Sequence, residues 1–126
     1  MQSLQIEGTP TTPTILCSVE KKQINIYGRS IPENAKDFYD PLFKWIAEFG
    51  NSDVPGIKAS FFLDYINSIS YKTIFDIMVK LEEIKLKGKE ITVLWKYEED
   101  DDEIFEEGKN FASKVNLHFE FEEIPE

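Results

Sequence analysis

The chain has one cysteine and one histidine in 126 residues, and those shortages exclude several kinds of chemistry. Cys17 has no internal partner for a disulfide, and it alternates with Ile15 and Val19 on what reads as a core face, so it is expected to be a small buried hydrophobe rather than a reactive thiol. His118 stands beside Glu120 on the polar phase of the last strand, with no Cys or second His to complete a metal or nucleophile–base set. A glycine-rich phosphate loop is also missing, so catalysis is not expected. Positive charge is scarce. The 14 Lys and Arg are scattered against 24 Asp and Glu, for a net charge of -10, which argues against nucleic acid and against anionic membrane surfaces. No apolar run approaches the roughly 20 residues that span a bilayer, and the N-terminus lacks a charged-then-apolar signal. The expected location is the cytoplasm.

What the chain does have is clean periodicity. Its length suits one domain, 1–126, with a single core. Short alternating stretches at 4–7, 14–19 and 23–27 read as strands, the last two joined as a hairpin, with Gly28 closing the third. Pro32-Glu33-Asn34 signals a helix whose stripe of Ala35, Phe38, Tyr39, Leu42, Trp45, Ile46 and Phe49 keeps helical spacing through Pro41. Pro41 should kink or restart that helix, and Gly50 is a reasonable C-terminal cap. Segment 30–34 is expected to be a loop that fixes the helix entry. Farther on, Ile91, Val93, Trp95 and Tyr97 alternate as a strand, 102–113 reads as a helix, and Leu117, Phe119 and Phe121 mark a last strand. This order predicts an α/β fold with a mixed sheet. Because each strand has one apolar and one mixed face, the helices should lie mainly on one side. The other side would carry Leu16, Phe62 and Leu94, either as a partial patch for a partner or second subunit, or as scattered exposed apolar residues.

The stretch 61–86 organises the rest. Ile57, Ala59, Phe61, Leu63 and Tyr65 alternate with Lys58, Ser60, Phe62 and Asp64 as a strand with one face buried, and Ile74, Ile77, Met78, Leu81 and Ile84 then recur at helical spacing. The junction is Asn67-Ser68-Ile69-Ser70. Asn and Ser accept hydrogen bonds from the free amides of a first turn, so the helix should begin here, with Ser68 as cap and Asn67 sharing the role. The turn carries two hydroxyls that read as exposed. A hydroxyl at that place suits a phosphate, because unpaired amides and the positive helix end face the added charge. From the local pattern alone, a plain helix cap is the favoured reading of the same residues.

Four groups of residues in order resemble the SiaC-type regulatory phosphoproteins. They are Gly28-Arg29-Ser30-Ile31-Pro32-Glu33-Asn34, Phe38-Tyr39 with Pro41 and Trp45, Tyr65 with Asn67-Ser68-Ile69-Ser70 and Lys72, and Trp95-Lys96-Tyr97 followed by an acidic run and Gly108. The resemblance covers most of the chain. It implies a fold like the STAS domains of anti-sigma-factor antagonists. In that family the junction typically reads Asn-Thr-Ser-Ser and the threonine is phosphorylated, so the resemblance places the phosphoacceptor on Ser68. Ile69 replaces a serine, and Ser70 stays as a second hydroxyl. Tyr65, Asn67, Ser70 and Lys72 would belong to the partner-binding surface. The resemblance further implies a partner-switching circuit. A dedicated protein kinase adds the phosphate, a PP2C-type phosphatase removes it, and the unphosphorylated form activates a diguanylate cyclase in cyclic-di-GMP and biofilm signalling. No cofactor is implied.

The acidic run 98–107 holds eight carboxylates in ten residues. It lacks the Asp-x-Asp spacing with a glycine turn of a calcium loop, and acids at a helix start are expected from the dipole alone. A negative surface that orients partners is the expected use, with a hard-metal site as the competing reading. A structural or homo-oligomerising module that ignores Ser68 is the other alternative to a phosphorylation switch.

Overall fold

Every strand pairs with the strand that precedes it in sequence. The computed structural model describes residues 1–125, with strands β1 (Leu4–Ile6), β2 (Thr14–Ser18), β3 (Gln23–Ser30), β4 (Gly56–Ile66), β5 (Glu90–Glu98) and β6 (His118–Ile124), and helices α1 (Ala35–Gly50), α2 (Ser68–Leu86) and α3 (Asp102–Lys114). The six-stranded sheet has the order β1-β2-β3-β4-β5-β6. Pairs β1/β2 and β2/β3 are antiparallel, and β3/β4, β4/β5 and β5/β6 are parallel. Each parallel pair is joined through a helix. Right-handed crossovers that always step in the same direction put every helix on the same face, which is the one-sided arrangement that the alternation predicts.

That face holds the core. Ile24, Ile26, Phe61, Leu63, Val93 and Trp95 from the sheet meet Leu42, Phe49, Ile74, Met78, Leu81 and Phe111 from the helices, all essentially without solvent access. Cys17 lies in this core, and burial pushes its thiol pKa up to about 12. The opposite face is open and polar. Leu16, Phe62 and Leu94 are half-buried on it, and the register interposes Asn25 and Ser60 between Leu16 and Leu94. They are scattered apolar residues, not a continuous patch. His118 is exposed there, with Nε2 3.4 Å from Glu120, and Lys58 lies 3.2 Å from the same carboxylate and holds its pKa below the ordinary range.

Three expectations need correction and a fourth is narrowed. Gly28 does not close β3, which runs on to Ser30 through a register shift at Gly28/Arg29. Gly28 has φ +115, a conformation that glycine adopts without strain. Ser30 therefore sits at the strand end, fully buried, and not in a loop. Of the two alternatives at Pro41, a kink or a restart, the restart is excluded, because α1 continues through it. Both Pro41 and Asp37 lie on the exposed side, so the Asp37 carbonyl that loses its partner is left to water. Finally, Asn51 rather than Gly50 is the C-cap of α1. Gly88 ends α2, with φ +113 just past the cap Lys87.

Helix α3 packs closely on β5. Trp95 is completely buried and donates from Nε1 to the Ile104 carbonyl at 2.9 Å. Its indole lies flat against Gly108, where any Cβ would overlap the ring. Gly108→Ala should therefore destabilise the fold by about 1–3 kcal/mol, the usual cost of overpacking a filled core. The expected observation is a lower denaturant midpoint at unchanged slope, and an unchanged midpoint would mean that Trp95 is free to move aside.

Candidate functional site

The junction between β4 and α2 is set by a change of phase in the strand. Alternation from Phe61 would turn Tyr65 into the core, but Leu63 pairs with Gly28 and Tyr65 with Arg29, leaving Asp64 as an extra residue. This bulge reverses the inward and outward positions beyond it. Ile66 is buried in place of Tyr65, and Tyr65 is 51% exposed. The expected inward placement of Tyr65 is thereby overturned. A sequence signal was available, since an apolar Ile66 falls where strict alternation wants a polar residue. Asp64 itself lies 3.7 Å from Arg29, both exposed.

A short relay of hydrogen bonds then fixes the start of α2. The Tyr39 hydroxyl of α1 and Ser30 Oγ at the end of β3 are buried together at 2.6 Å. The Ser30 carbonyl accepts from Asn67 N–H at 3.1 Å. Asn67 Oδ1 in turn accepts from Ser70 N–H at 2.8 Å, and its carbonyl accepts the first helical bond, from Tyr71 N–H, at 2.9 Å. Asn67 is thus the cap by itself, in an extended conformation, and Ser68 is the first helical residue. Reading Ser68 as the cap placed the start one residue too late. Burial pushes the Tyr39 pKa up to about 12, against a smaller lowering by Ser30, so this end of the relay stays neutral.

The four residues of the turn have different surroundings. Ser68 is exposed, and Ile69 is 57% exposed. Ser70 is 0% exposed, with its Oγ lacking a hydrogen-bond partner among the described residues. The expectation of two exposed hydroxyls is therefore corrected to one, and Ser70 has no surface to offer a partner. The amides of Ser68 and Ile69 have no acceptor among the described residues, as is usual for the first turn of a helix. Lys72 is exposed one turn farther along and forms no ion pair among the described residues. Tyr65, Ser68, Ile69 and Lys72 are brought to the surface around one helix start; Asn67 is half-buried beneath them.

The acidic run makes a different structure. Asp101 caps α3 by accepting from Ile104 N–H at 3.0 Å, and Asp102 and Glu103 occupy its first turn, where the dipole favours them. Among the described residues no group of three His, Cys, Asp or Glu is placed to hold a metal ion. Glu107 is the exception in this run. One of its oxygens is buried without a partner, and desolvation, with the nearby Glu103 and Asp101 charges, pushes its pKa up to about 7. Among the described residues no helix is long and apolar enough to cross a membrane.

Comparison with known proteins adds four findings. A family model described as "SiaC family regulatory phosphoprotein" matches residues 6–124. An uncharacterized protein of Pseudomonas aeruginosa (strain UCBPP-PA14) is 26% identical over 119 residues, covering 94% of each chain. The crystal structure of apo-SiaC from Pseudomonas aeruginosa superposes with a TM-score of 0.89 at 26% identity, over 97% of this chain and 99% of that one. A crystal structure of the diguanylate cyclase SiaD in complex with its activator SiaC, from the same organism, contains a chain that matches with a TM-score of 0.91 at 25% identity, over 96% and 99%.

Two outcomes are expected from this geometry. Asn67→Ala should cost about 1 kcal/mol, the usual loss of a side-chain cap, whereas Ser68→Ala should leave the melting temperature nearly unchanged; the reverse order would return the cap to Ser68. Glu107 keeps its proton in the fold up to about pH 7 but ionises near 4.5, its ordinary value, when unfolded. Its contribution is thus complete below pH 4.5 and fades as the pH rises through 7. Glu107→Gln should accordingly match the wild type in melting at pH 4 and exceed it at pH 8, and a gap that closes with rising pH would refute the assignment.

Proposed function

The chain belongs to the SiaC family of regulatory phosphoproteins, and from that membership we propose that it is a single-domain, non-catalytic binding protein switched by phosphorylation of Ser68. Its effector is a diguanylate cyclase, which the unphosphorylated form binds and activates. A cognate protein kinase adds the phosphate and a PP2C-type phosphatase removes it. The observation that carries the choice of residue is the contrast within one turn: Ser68 presents its hydroxyl to solvent, and Ser70 is sealed beneath it. A kinase can reach the first without unfolding anything. The phosphate would meet the unpaired amides of Ser68 and Ile69, the positive end of a 19-residue helix, and Lys72 one turn on. The family resemblance supports the same position.

Release of the effector follows from what surrounds the hydroxyl. Tyr65 and Ile69 are large, exposed and apolar, the kind of side chain that anchors an interface when a partner covers it. Ser68 lies between them in sequence. About two negative charges there would be comfortable on the free helix end but would have to be desolvated under a partner. The switch therefore needs no change of fold.

The experiment is titration of the cyclase with unmodified, phosphorylated and Ser68→Ala protein. Unmodified and Ser68→Ala protein should bind alike, and phosphorylated protein at least tenfold more weakly, which requires only about 1.4 kcal/mol. Equal affinity for all three, or phosphate recovered only from Ser70, would overturn the assignment.

A further inference from the structure

We propose that the free edge of β6 docks one extended strand of a partner protein, a strand that alternates Lys or Arg with apolar residues, and that it does so independently of the Ser68 switch. β6 pairs with β5 alone, in unbroken register from His118 to Ile124. Its other edge leaves the backbone groups of seven residues without a neighbouring strand, about 23 Å at 3.3 Å per residue. This edge is neither short, bulged, covered nor interrupted by proline, so of the devices that blunt sheet edges only charge is in use. The opposite edge differs, since β1 has three residues. Beside the β6 edge lies an apolar shelf. Phe119 and Phe121 stand in register with the buried Val93 and Trp95, on the face that bears the helices. There α3 packs over β5 and β4, and no helix follows β6 among the described residues. The shelf is thus only partly roofed. Phe105 of α3 meets Phe121 edge to face at 5.6 Å between ring centroids, yet Phe121 is still 37% exposed.

Charge decides the occupant. β6 carries Glu120, Glu122 and Glu123. Lys58 and His118 hold Glu120, whereas Glu122 and Glu123 form no ion pair among the described residues. The acidic turn after β5 is fastened to the same end of the edge, because Glu99 N–H donates to the Ile124 carbonyl at 3.0 Å. A second copy laid antiparallel about Phe121 would set Glu120 opposite Glu122 of the other copy, and like charges directly opposite are destabilising. A basic strand meets the reverse. Its Lys or Arg side chains would lie beside Glu120 and Glu122 on the open face of the sheet, and the apolar residues between them would cover Phe119 and Phe121. Main-chain bonds along the edge would then supply affinity, and the two side-chain phases specificity, as when an extended peptide is added to a sheet.

The test uses the full chain and three capped synthetic peptides: one alternating Lys and Val, the same peptide with every backbone amide N-methylated, and one alternating Glu and Val. The Lys–Val peptide should bind and slow hydrogen exchange over 118–124. N-methylation should weaken binding at least tenfold, and the Glu–Val peptide should not bind. Glu122 and Glu123 are exposed, so the double variant Glu122→Lys with Glu123→Lys should keep the wild-type melting temperature and lose at least tenfold in affinity. Glu20→Lys with Glu48→Lys makes the same change of net charge at two exposed positions outside β6, and should bind the peptide as wild type does. Equal binding of the methylated peptide, or equal weakening by both double variants, would reduce the attraction to the net charge of the molecule and overturn the site. No binding of the Lys–Val peptide, or protection away from 118–124, would overturn it too. Self-association of the chain with protection over 118–124 would assign the edge to a second copy and end the proposal. Cyclase titration reads none of these outcomes, so the Ser68 switch stands or falls separately.

Discussion

The contact on which the exposed turn depends is the buried one beneath it, between the Tyr39 hydroxyl and Ser30. That pair ties the first helix to the end of β3, and the Ser30 carbonyl then holds the amide of Asn67. The helix start is thus referenced to two other elements and not merely to its own strand. A buried hydroxyl pair of this kind is stable only while both partners are satisfied, so the position of Ser68 is set by residues with no surface of their own. The unpartnered Ser70 hydroxyl directly below is the one flaw in this layer, and buried polar groups without partners usually carry a cost.

A sheet whose strand order never reverses has a consequence for chemistry. In open α/β sheets small ligands bind in the crevice where the strand order switches direction, and the order β1 to β6 contains no such point among the strands of the parallel portion. The carboxyl ends of β3 and β4 lead instead into a surface of side chains. Surface features of that sort suit protein recognition better than the enclosure of a small substrate. The acids of α3 fit the same pattern, with Asp101 engaged as a cap.

Much of this was legible from residues alone, where one local rule governs. Asn34 before a striped segment marked a helix start, and its side chain does accept from Asp37 N–H. Alternation in β4 and β5 located the core face and, through its one-sidedness, the side on which the helices lie. The misreadings arise where two rules compete. Asp64 enters β4 as an extra residue between Leu63, which pairs with Gly28, and Tyr65, which pairs with Arg29, and period-two counting from Phe61 passes over it unless the apolar Ile66 beyond it is read as a change of phase. Pro41 breaks helices in general, but the carbonyl it deprives is on the wet side here. Asn67 and Ser68 are both good caps by type, and only the bond from Ser30 decides between them.

The consecutive order of the strands also has a meaning in time. Because β4 needs only β3, and β5 only β4, as a neighbour on the growing side, no strand must be held open for one that is made later. During synthesis at about 5–20 residues per second, the sheet can lengthen by one strand for each crossover that leaves the ribosome, its exposed edge passing each time to the newest strand. The helix that begins at Ser68 meets α1 first and completes its packing only when β5 and α3 have been made, and the acidic strand His118–Ile124, arriving last, closes the growing edge with Glu120, Glu122 and Glu123, a run of like charge that discourages another copy of the chain from adding itself there.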